Sequence, residues 1–205
     1  NESLNIPSIL VECAFVDKWA RADIAVHNGI DLVVELPTPW SMDSAENFAF
    51  GAASILSSLG INILSFGSET DDISLLERCA VFSDSELSFL INESIKKGSS
   101  YPLALKEAVS KVYGEKEAQV ISSPNSTLGI EYIRALRKLC SKAEILAVKR
   151  KGAMHDSDNI SGELVSASAL RNLAELKDIK PFVSTYELSA LTDIYKDGCA
   201  PVVMK

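Results

Sequence analysis

The sequence has 205 residues, of which 47% are hydrophobic and 23% charged, with a formal net charge of −8 at pH 7. This is a globular composition with enough length for a sizeable core, and the acidity excludes a surface that binds nucleic acid over its whole extent. No apolar run approaches the ~18 residues that span a bilayer and no signal peptide is recognisable, so we expect a soluble cytoplasmic protein without a membrane partner. The 4 cysteines are widely spaced, which predicts buried free thiols and no metal site.

The first predicted element is a helix over residues 16–28. Apolar side chains recur along it at a helical spacing and would form one stripe, and Gly29 marks its end. The members of this stripe are Val16, Trp19, Ala20 and Ile24.

The next elements form a β-α-β unit. Two apolar runs, at 31–36 and 61–66, predict strands, the first of them buried. Between them, Asp43 and Glu46 resemble a capping pair at the start of a helix, and Gly60 lies where that helix ends. A strand, a helix and a second strand in this order imply a parallel sheet with a right-handed connection.

The remaining elements follow from apolar spacing and composition. Helices are predicted at 73–82, 85–97, 103–112 and 128–139, a strand at 144–149, a surface loop at 152–163 and a short helix at 166–173. We therefore predict an α/β fold with a doubly wound parallel sheet, forming a nucleotide-binding domain over residues 1–175, and the start of a helical C-terminal region over 176–205.

Candidate binding residues lie beyond the predicted strand ends, where open parallel sheets bind ligands. Gly67 follows the second strand and lets a ligand approach the backbone, and Arg150 follows the last strand, where its guanidinium can pair with a phosphate. Asn125 precedes the helix at 128–139, whose free N–H groups, together with its amide, can hold an anion or a purine edge. A turn glycine, an exposed arginine and an ordinary helix N-cap are the plain alternatives.

A further candidate group opens the helix at 166–173. Ser166, Ser168 and Arg171 can form a phosphate cradle with the free N–H groups, although an N-capped surface helix has the same pattern. The sequence contains no GxGxxG and no GxxxxGK[ST], which speaks against Rossmann dinucleotide and P-loop sites. His27 and His155 belong to no recognisable Ser-His-Asp order, so we assign no catalytic residue.

Residues 134–151 form a basic stretch in this acidic chain. Its only acid is Glu144. The stretch indicates either a surface that binds RNA or another anion, or a solvated face. Its basic residues are Arg134, Arg137, Lys138, Lys142, Lys149, Arg150 and Lys151.

A set of short stretches occurs in a fixed order between about Glu12 and Arg171. The stretches are Val16-Asp-Lys-Trp-Ala-Arg21, Asn28-Gly-Ile-Asp-Leu-Val-Val-Glu-Leu-Pro37, Phe66-Gly-Ser-Glu69, Gly98-Ser-Ser-Tyr-Pro102, Pro124-Asn125 with Leu128-Gly129, Lys149-Arg150, His155-Asp156, and Ser166-Ala-Ser168 with Arg171. Each stretch is weak alone, but the ordered set is specific. It resembles the tRNA(Met) cytidine acetate ligases of bacteria, which belong to the HIGH-motif nucleotidyltransferase superfamily.

The resemblance implies an ATP-dependent enzyme of the HIGH-motif fold. Such an enzyme joins acetate and ATP into acetyl-adenylate and passes the acetyl group to N4 of the wobble cytidine of elongator tRNA(Met). By position, ATP contacts are implied at Gly67, Asn125 and Arg150, which the strand-end argument also selects, and near the triphosphate at Ser168 and Arg171.

The resemblance also implies partners. Lys18 and Arg21 would lie on one face of the first helix, available to tRNA or phosphate. Mg²⁺ is expected to accompany ATP, and tRNA rather than DNA is the implied nucleic acid.

The sequence departs from the family pattern at two places. The family begins with a strand that leads into an HxGH sequence, which does not occur here, and its Gln-Arg-Gly-Glu-Pro is replaced by Ile9-Leu-Val-Glu-Cys13. We therefore expect this chain alone to lack the N-terminal strand and part of the C-terminal region, to bind ATP weakly, and to form no acetyl-adenylate at a useful rate. Two alternatives stay open: another nucleotidyltransferase of the superfamily that acts on a small phosphorylated substrate, and a degenerate relative that binds nucleotide or RNA without turnover.

Overall fold

A computed structural model describes residues 17–82 and 84–150 of the protein. These residues divide into two compact units, one comprising residues 36–150 and the other containing the segment 17–35. The loop predicted at 152–163, the helix predicted at 166–173 and the domain boundary at 175 lie outside the described residues.

Helices dominate the described chain. In chain order, the elements are α1 (Lys18–His27), α2 (Thr38–Ser41), α3 (Ala45–Ser58), β1 (Ile63–Ser68), α4 (Ile73–Cys79), α5 (Asp84–Lys96), α6 (Tyr101–Val112), α7 (Glu115–Ile121), α8 (Pro124–Lys138) and β2 (Glu144–Lys149). None of these helices is long and apolar enough to cross a membrane.

The first helix is confirmed, but its apolar stripe is not buried. The carboxylate of Asp17 accepts a hydrogen bond from the Ala20 N–H at 2.8 Å and caps α1. Gly29 follows the helix with a φ of +96°. No residue of α1 is buried, and Trp19 is 74% exposed, with the Lys18 ammonium 5.3 Å from the centre of its ring.

The prediction of a strand at 31–36 is wrong. This run forms no helix and no ladder, and Leu32, Val33 and Val34 are exposed. A strand needs a neighbour that exchanges hydrogen bonds with its N–H and C=O groups. No strand of the described ranges pairs with this run, so its apolar composition alone does not make it a strand.

Helix α3 occupies the predicted place with a different cap. Ser44 is the N-cap, and its hydroxyl accepts from the Asn47 N–H at 3.3 Å. The Asp43 carboxylate instead accepts from the Ser44 N–H at 2.6 Å and from the Asn47 side chain at 2.9 Å, so the predicted pair of Asp43 with Glu46 does not form. Gly60, with a φ of +74°, ends the helix as predicted.

The parallel sheet is confirmed by β1 and β2. The two strands pair in parallel from Ile63 opposite Glu144 to Ser68 opposite Lys149. The bounds of β2 are those predicted, whereas β1 begins and ends two residues later than the predicted 61–66. Gly67 therefore lies within β1 and not after it, because the ladder with β2 holds its backbone in the strand.

Three helices pack on one face of this sheet. Its inward side chains are Leu64, Phe66, Ile145 and Ala147, and they contact residues of α3, α4 and α8. The alanines Ala53 of α3 and Ala135 of α8 are buried in the same cluster, and their small size lets helices and sheet approach closely. A second buried cluster joins α5, α6 and α7. This packing places the start of α8 beside the carboxyl end of β1.

The remaining helices agree with the predictions within a few residues, with two exceptions. Helices α2 and α7 were not predicted, because they have only 4 and 7 residues and show little periodicity. The helix predicted at 128–139 begins at Pro124, because proline at the first helical position has a suitable φ and needs no N–H partner.

The two cysteines of the described chain differ in environment. Cys79 is buried and free, and burial raises the pKa of its thiol to about 11. Cys140 is exposed, so the prediction of buried thiols is wrong for this residue.

Candidate functional site

A cavity of about 420 Å³ lies between the end of β1, the start of α8 and the residue that follows β2. It lies wholly within the unit formed by residues 36–150. The lining residues are Phe66, Gly67, Asn125, Leu128, Gly129, Tyr132 and Arg150. The cavity thus brings together Gly67, Asn125 and Arg150, the residues that the strand-end argument selected. Their role in binding ATP stays a prediction.

Two glycines that line the cavity, Gly67 and Gly129, differ in how much space surrounds them. A Cβ added to Gly67 would meet only the Cγ of Arg150, at 3.7 Å, which is an ordinary contact. A Cβ added to Gly129 would lie 2.4 Å from the Cε2 of Phe66. Gly67 therefore leaves its backbone accessible from the cavity, and Gly129 lets α8 approach the aromatic side chain of β1.

The wall beside Gly129 is aromatic. The rings of Phe66 and Tyr132 stack with centroids 5.8 Å apart and an interplanar angle of 28°. Burial raises the pKa of the Tyr132 hydroxyl. The cavity therefore joins an apolar wall, suited to a flat ring, to the polar groups of Asn125 and Arg150.

The start of α8 is occupied by the carboxylate of Glu69, which follows β1. One oxygen, Oε1, accepts from the Asn125 side-chain amide at 2.7 Å and from its backbone N–H at 3.3 Å. The other, Oε2, accepts from the Ser126 backbone N–H at 2.7 Å and from its hydroxyl at 2.6 Å. An internal anion therefore already binds the N–H groups that are predicted to hold an external anion or a purine edge.

A buried pair of serines supports this carboxylate. The hydroxyl oxygens of Ser68 and Ser126 lie 2.9 Å apart, and both side chains are fully buried. Because the Ser126 hydroxyl donates to Glu69, it accepts from Ser68, which in turn accepts from the Thr70 N–H at 3.3 Å. Burial disfavours the charged carboxylate, but the hydrogen bonds from Ser126 and Asn125 outweigh it, so the pKa of Glu69 lies below its usual value.

The guanidinium of Arg150 is exposed beside the cavity. Its backbone N–H donates to the Ser68 carbonyl at 2.9 Å, which fixes the chain where β2 ends. No acid of the described chain forms an ion pair with its side chain. The side chain of Arg150 thus places a positive charge beside the cavity.

The first residue of the basic stretch has a structural role. The Arg134 guanidinium donates to the carbonyls of Ala80 at 3.1 Å and Phe82 at 3.3 Å, and it pairs with Glu131 at 2.8 Å. These contacts fasten α8 to the end of α4. Arg134 is therefore not part of a free basic surface.

Two further residues of the stretch pair with acids distant in sequence. Arg137 lies 3.8 Å from Glu77, and Lys138 lies 3.0 Å from Glu46. In three dimensions, these two basic residues therefore have acidic partners from outside the stretch. Lys142 and Lys149 are exposed, and neither forms an ion pair within residues 17–82 and 84–150.

Two other predicted binding residues, Lys18 and Arg21, are not among the residues that line this cavity. Lys18 and Arg21 are both exposed on α1, which lies in the other unit, and the Lys18 ammonium is paired with Glu35 at 2.9 Å. Ser168 and Arg171 lie outside the described residues. Among the residues that the structure describes, no group of three or more His, Cys, Asp or Glu side chains could hold a metal ion.

Sequence reasoning missed Glu69 as a partner of α8. In the sequence, Glu69 is distinguished only as the last residue of the Phe66-Gly-Ser-Glu69 stretch. A carboxylate directly after a strand is a signal for a helix N-terminus nearby in space, since carboxylates favour that end of a helix. The helix concerned is 56 residues away along the chain, so the sequence alone does not identify it.

The chain is similar to known proteins in both sequence and structure. A family model described as HIGH Nucleotidyl Transferase matches residues 11–204. The tRNA(Met) cytidine acetate ligase of Caldicellulosiruptor saccharolyticus is 39% identical over 196 residues, covering 93% of this chain and 48% of that protein. The chain spans about half the length of the curated relatives it matches.

Two solved structures of TmcAL from Thermotoga maritima are similar as well. The apo form gives a TM-score of 0.82 at 33% identity and covers 92% of this chain and 48% of that chain. The form bound with alpha-thio ATP gives a TM-score of 0.77 at 33% identity and covers 92% of this chain and 46% of that chain. These matches confirm the predicted α/β class, and the chain belongs to the HIGH nucleotidyl transferase family.

Proposed function

We propose that this chain is the nucleotide-binding part of a tRNA(Met) cytidine acetate ligase and that it binds ATP in the cavity at the end of β1. The observation that carries the proposal is the convergence of Gly67, Asn125 and Arg150 on one cavity. The names of the similar proteins support it, as does the nucleotide analogue in one of the two solved relatives.

The cavity suits the two ends of ATP in different ways. Phe66, Leu128 and Tyr132 offer apolar surface to a base, and the backbone at Gly67 is open to close approach. Arg150 offers the planar pair of donors that matches phosphate oxygens. We infer that the base lies against the aromatic wall and that the phosphates extend toward Arg150.

The proposed reaction has two steps. A carboxylate oxygen of acetate attacks the α-phosphorus of ATP, which forms acetyl-adenylate and releases pyrophosphate. The N4 amine of the wobble cytidine of elongator tRNA(Met) then attacks the acetyl carbon, and AMP leaves. Arg150 would stabilise negative charge that develops on the phosphates. Mg²⁺ would accompany the phosphates of ATP, whose oxygens are ligands that this ion prefers.

The arginine is the sharpest test of ATP binding. Arg150→Ala in the complete protein is expected to weaken ATP binding about 10–100-fold, because a hydrogen bond to a charged group contributes roughly 1.5–3 kcal/mol. The ATP affinity of Arg150→Lys should lie between those of the original protein and Arg150→Ala, since lysine keeps the positive charge but lacks the planar pair of donors. Calorimetric titration with ATP measures both variants.

Arg137→Ala is the matched control for this test. It removes an arginine of α8 that pairs with Glu77 away from the cavity lining, and ATP affinity should not change. Equal effects of Arg137→Ala and Arg150→Ala would contradict the proposed site. Acetate-dependent exchange of labelled pyrophosphate into ATP tests the first step, and exchange that is independent of acetate would exclude this ligase.

Lys142 and Lys149, which form no ion pair with any residue that the structure describes, are expected to contribute to tRNA binding. Lys142→Glu combined with Lys149→Glu should weaken binding and flatten its salt dependence, by about one unit of slope for each tRNA phosphate that the variant no longer neutralises. The control is Lys96→Glu with Lys116→Glu, which makes the same charge change at exposed sites on α5 and α7. If both double variants change the slope of the salt dependence equally, the basic stretch contributes only through the overall charge of the protein and does not contact tRNA phosphates itself.

A further inference from the structure

The hydrogen bonds of Glu69 determine which atom of Asn125 is left for a ligand. An ionised carboxylate only accepts hydrogen bonds, so the Asn125 side chain must turn its NH₂ group toward Glu69. The lowered pKa of Glu69 keeps this carboxylate ionised at neutral pH. The carbonyl oxygen of the Asn125 amide, Oδ1, then has no hydrogen-bond partner in the described part of the chain, and Asn125 lines the cavity. The amide thus offers the cavity an acceptor.

The same carboxylate makes the start of α8 unsuitable for phosphate. The N–H groups of Asn125 and Ser126, which would otherwise attract an anion, donate to Glu69. The negative charge of Glu69 also repels phosphate from this wall, whereas Arg150 lies beside the cavity without an acidic partner in the described chain. A nucleotide is therefore directed with its base, and not its phosphates, toward Asn125.

We propose that Glu69 is a positioning residue that makes the cavity selective for a 6-aminopurine. By holding the Asn125 amide in one orientation, it presents Oδ1 to the 6-amino group of adenine, the donor on that edge of the base. A 6-oxopurine has an acceptor there and would meet Oδ1 without a hydrogen bond. This inference rests on the proposed binding of ATP in the cavity, and it adds the residue that selects the base.

Selectivity of this kind is measurable because an acceptor facing an acceptor costs binding free energy. The original protein is expected to bind ATP at least about tenfold more tightly than inosine triphosphate, which has oxygen in place of the 6-amino group. Asn125→Ala should remove this preference. Each affinity is measured by calorimetric titration of the complete protein.

Glu69→Gln is the decisive variant, because glutamine has nearly the shape of glutamate and one oxygen becomes an NH₂ group. Its remaining oxygen is expected to stay on the Ser126 N–H, because that contact, at 2.7 Å, is shorter than the 3.3 Å contact of the other oxygen with the Asn125 backbone N–H. The NH₂ of the glutamine then faces Asn125. The Asn125 amide is then expected to turn over, donate nothing to residue 69 and present its own NH₂ to the cavity. The preference for ATP should fall to within about threefold of unity or reverse in favour of inosine triphosphate.

A purely structural role of Glu69 would give a different result. In that case Glu69→Gln would weaken the binding of ATP and of inosine triphosphate by the same factor and leave the ratio of the two affinities unchanged. This result would overturn the proposal. Asp72→Ala is the matched control, since Asp72 caps α4 through the Leu75 N–H at 3.0 Å. It should lower thermal stability without changing the ratio of the two affinities.

The remaining outcomes separate this inference from the proposed function. If the original protein binds ATP but does not prefer it over inosine triphosphate, the inference fails and the proposed function stands. If deoxyribose analogues of ATP lose affinity and inosine triphosphate does not, Asn125 contacts the ribose and the inference fails as well. If the protein binds no ATP, both fail.

Discussion

ATP affinity is expected to fall at least about 100-fold when tryptophan replaces Gly67, a loss of roughly 2.7 kcal/mol in binding free energy. Gly67 lies in β1 with its backbone facing the cavity, opposite Val148 of β2. An indole at this position would fill space that the base or ribose of ATP requires. The side chain would project into solvent-accessible space and not into the core, so the fold should tolerate it. Calorimetric titration and thermal melting of the same samples separate the two effects.

Gly67→Ala is the matched control. The added Cβ would make an ordinary contact at 3.7 Å with the stem of Arg150, so no atom needs to move. We expect its ATP affinity to stay within about threefold of the original, a free-energy change below roughly 0.7 kcal/mol. Unchanged ATP affinity in the tryptophan variant would place the nucleotide elsewhere. A similar loss in both variants would show that backbone flexibility at Gly67, and not open space, is what binding needs.

The convergence of Gly67, Asn125 and Arg150 was predictable from sequence because it follows from a rule of topology. In a parallel sheet the carboxyl ends of the strands share one edge, and a helix that leads into a strand begins near that edge. Recognising β2 and α8 was therefore sufficient to bring the end of β1, the start of α8 and the end of β2 together. The rule specifies which groups meet. It does not specify the hydrogen bonds between them.

The failed predictions share a physical cause. Residues 31–36 have the composition of a buried strand, but a ladder needs a second strand, and none pairs with them in the described part of the chain. Lys138 belongs to a basic stretch in sequence, yet its partner Glu46 is 92 residues away. Local patterns determine helices and turns, whereas these features depend on tertiary neighbours that no local pattern encodes.

Glu69 shows the same limit at the site itself. Helix α8 has no side-chain cap from its own N-cap residue, Ser123, and the distant Glu69 accepts from its first N–H groups instead. The sequence indicated an anion site there, which is correct for the chemistry of the N–H groups. It did not reveal that the anion is a carboxylate of the protein, which leaves the amide of Asn125 for the ligand.

The second large effect is expected from Gly129→Ala, which should destabilise the fold by about 1–2 kcal/mol. Alanine favours a helix over glycine by up to ~1 kcal/mol, but overpacking a core costs roughly 1–3 kcal/mol. The new Cβ would lie 2.4 Å from Cε2 of Phe66 and 3.0 Å from two further ring atoms. This ring cannot move away without disturbing its neighbours, since it stacks on Tyr132 and packs against buried residues of α3, α4 and α8.

The clash predicts a specific pattern of melting temperatures. Gly129→Ala should lower the melting temperature by about 2–8 °C, because 1 kcal/mol corresponds to roughly 2–4 °C in a chain of this size. Phe66→Leu removes the ring that the Cβ would meet, and it has its own cost because a leucine fills less of the core. If the contact between the two positions is the cause, adding Gly129→Ala to Phe66→Leu should cost less than adding it to the original protein. The contrary result is that Gly129→Ala lowers the melting temperature equally in the original protein and in Phe66→Leu, or raises it in the original protein. Either result would mean that the Phe66 ring moves without an energetic penalty, and that the helix propensity of alanine determines whether the substitution stabilises or destabilises the fold.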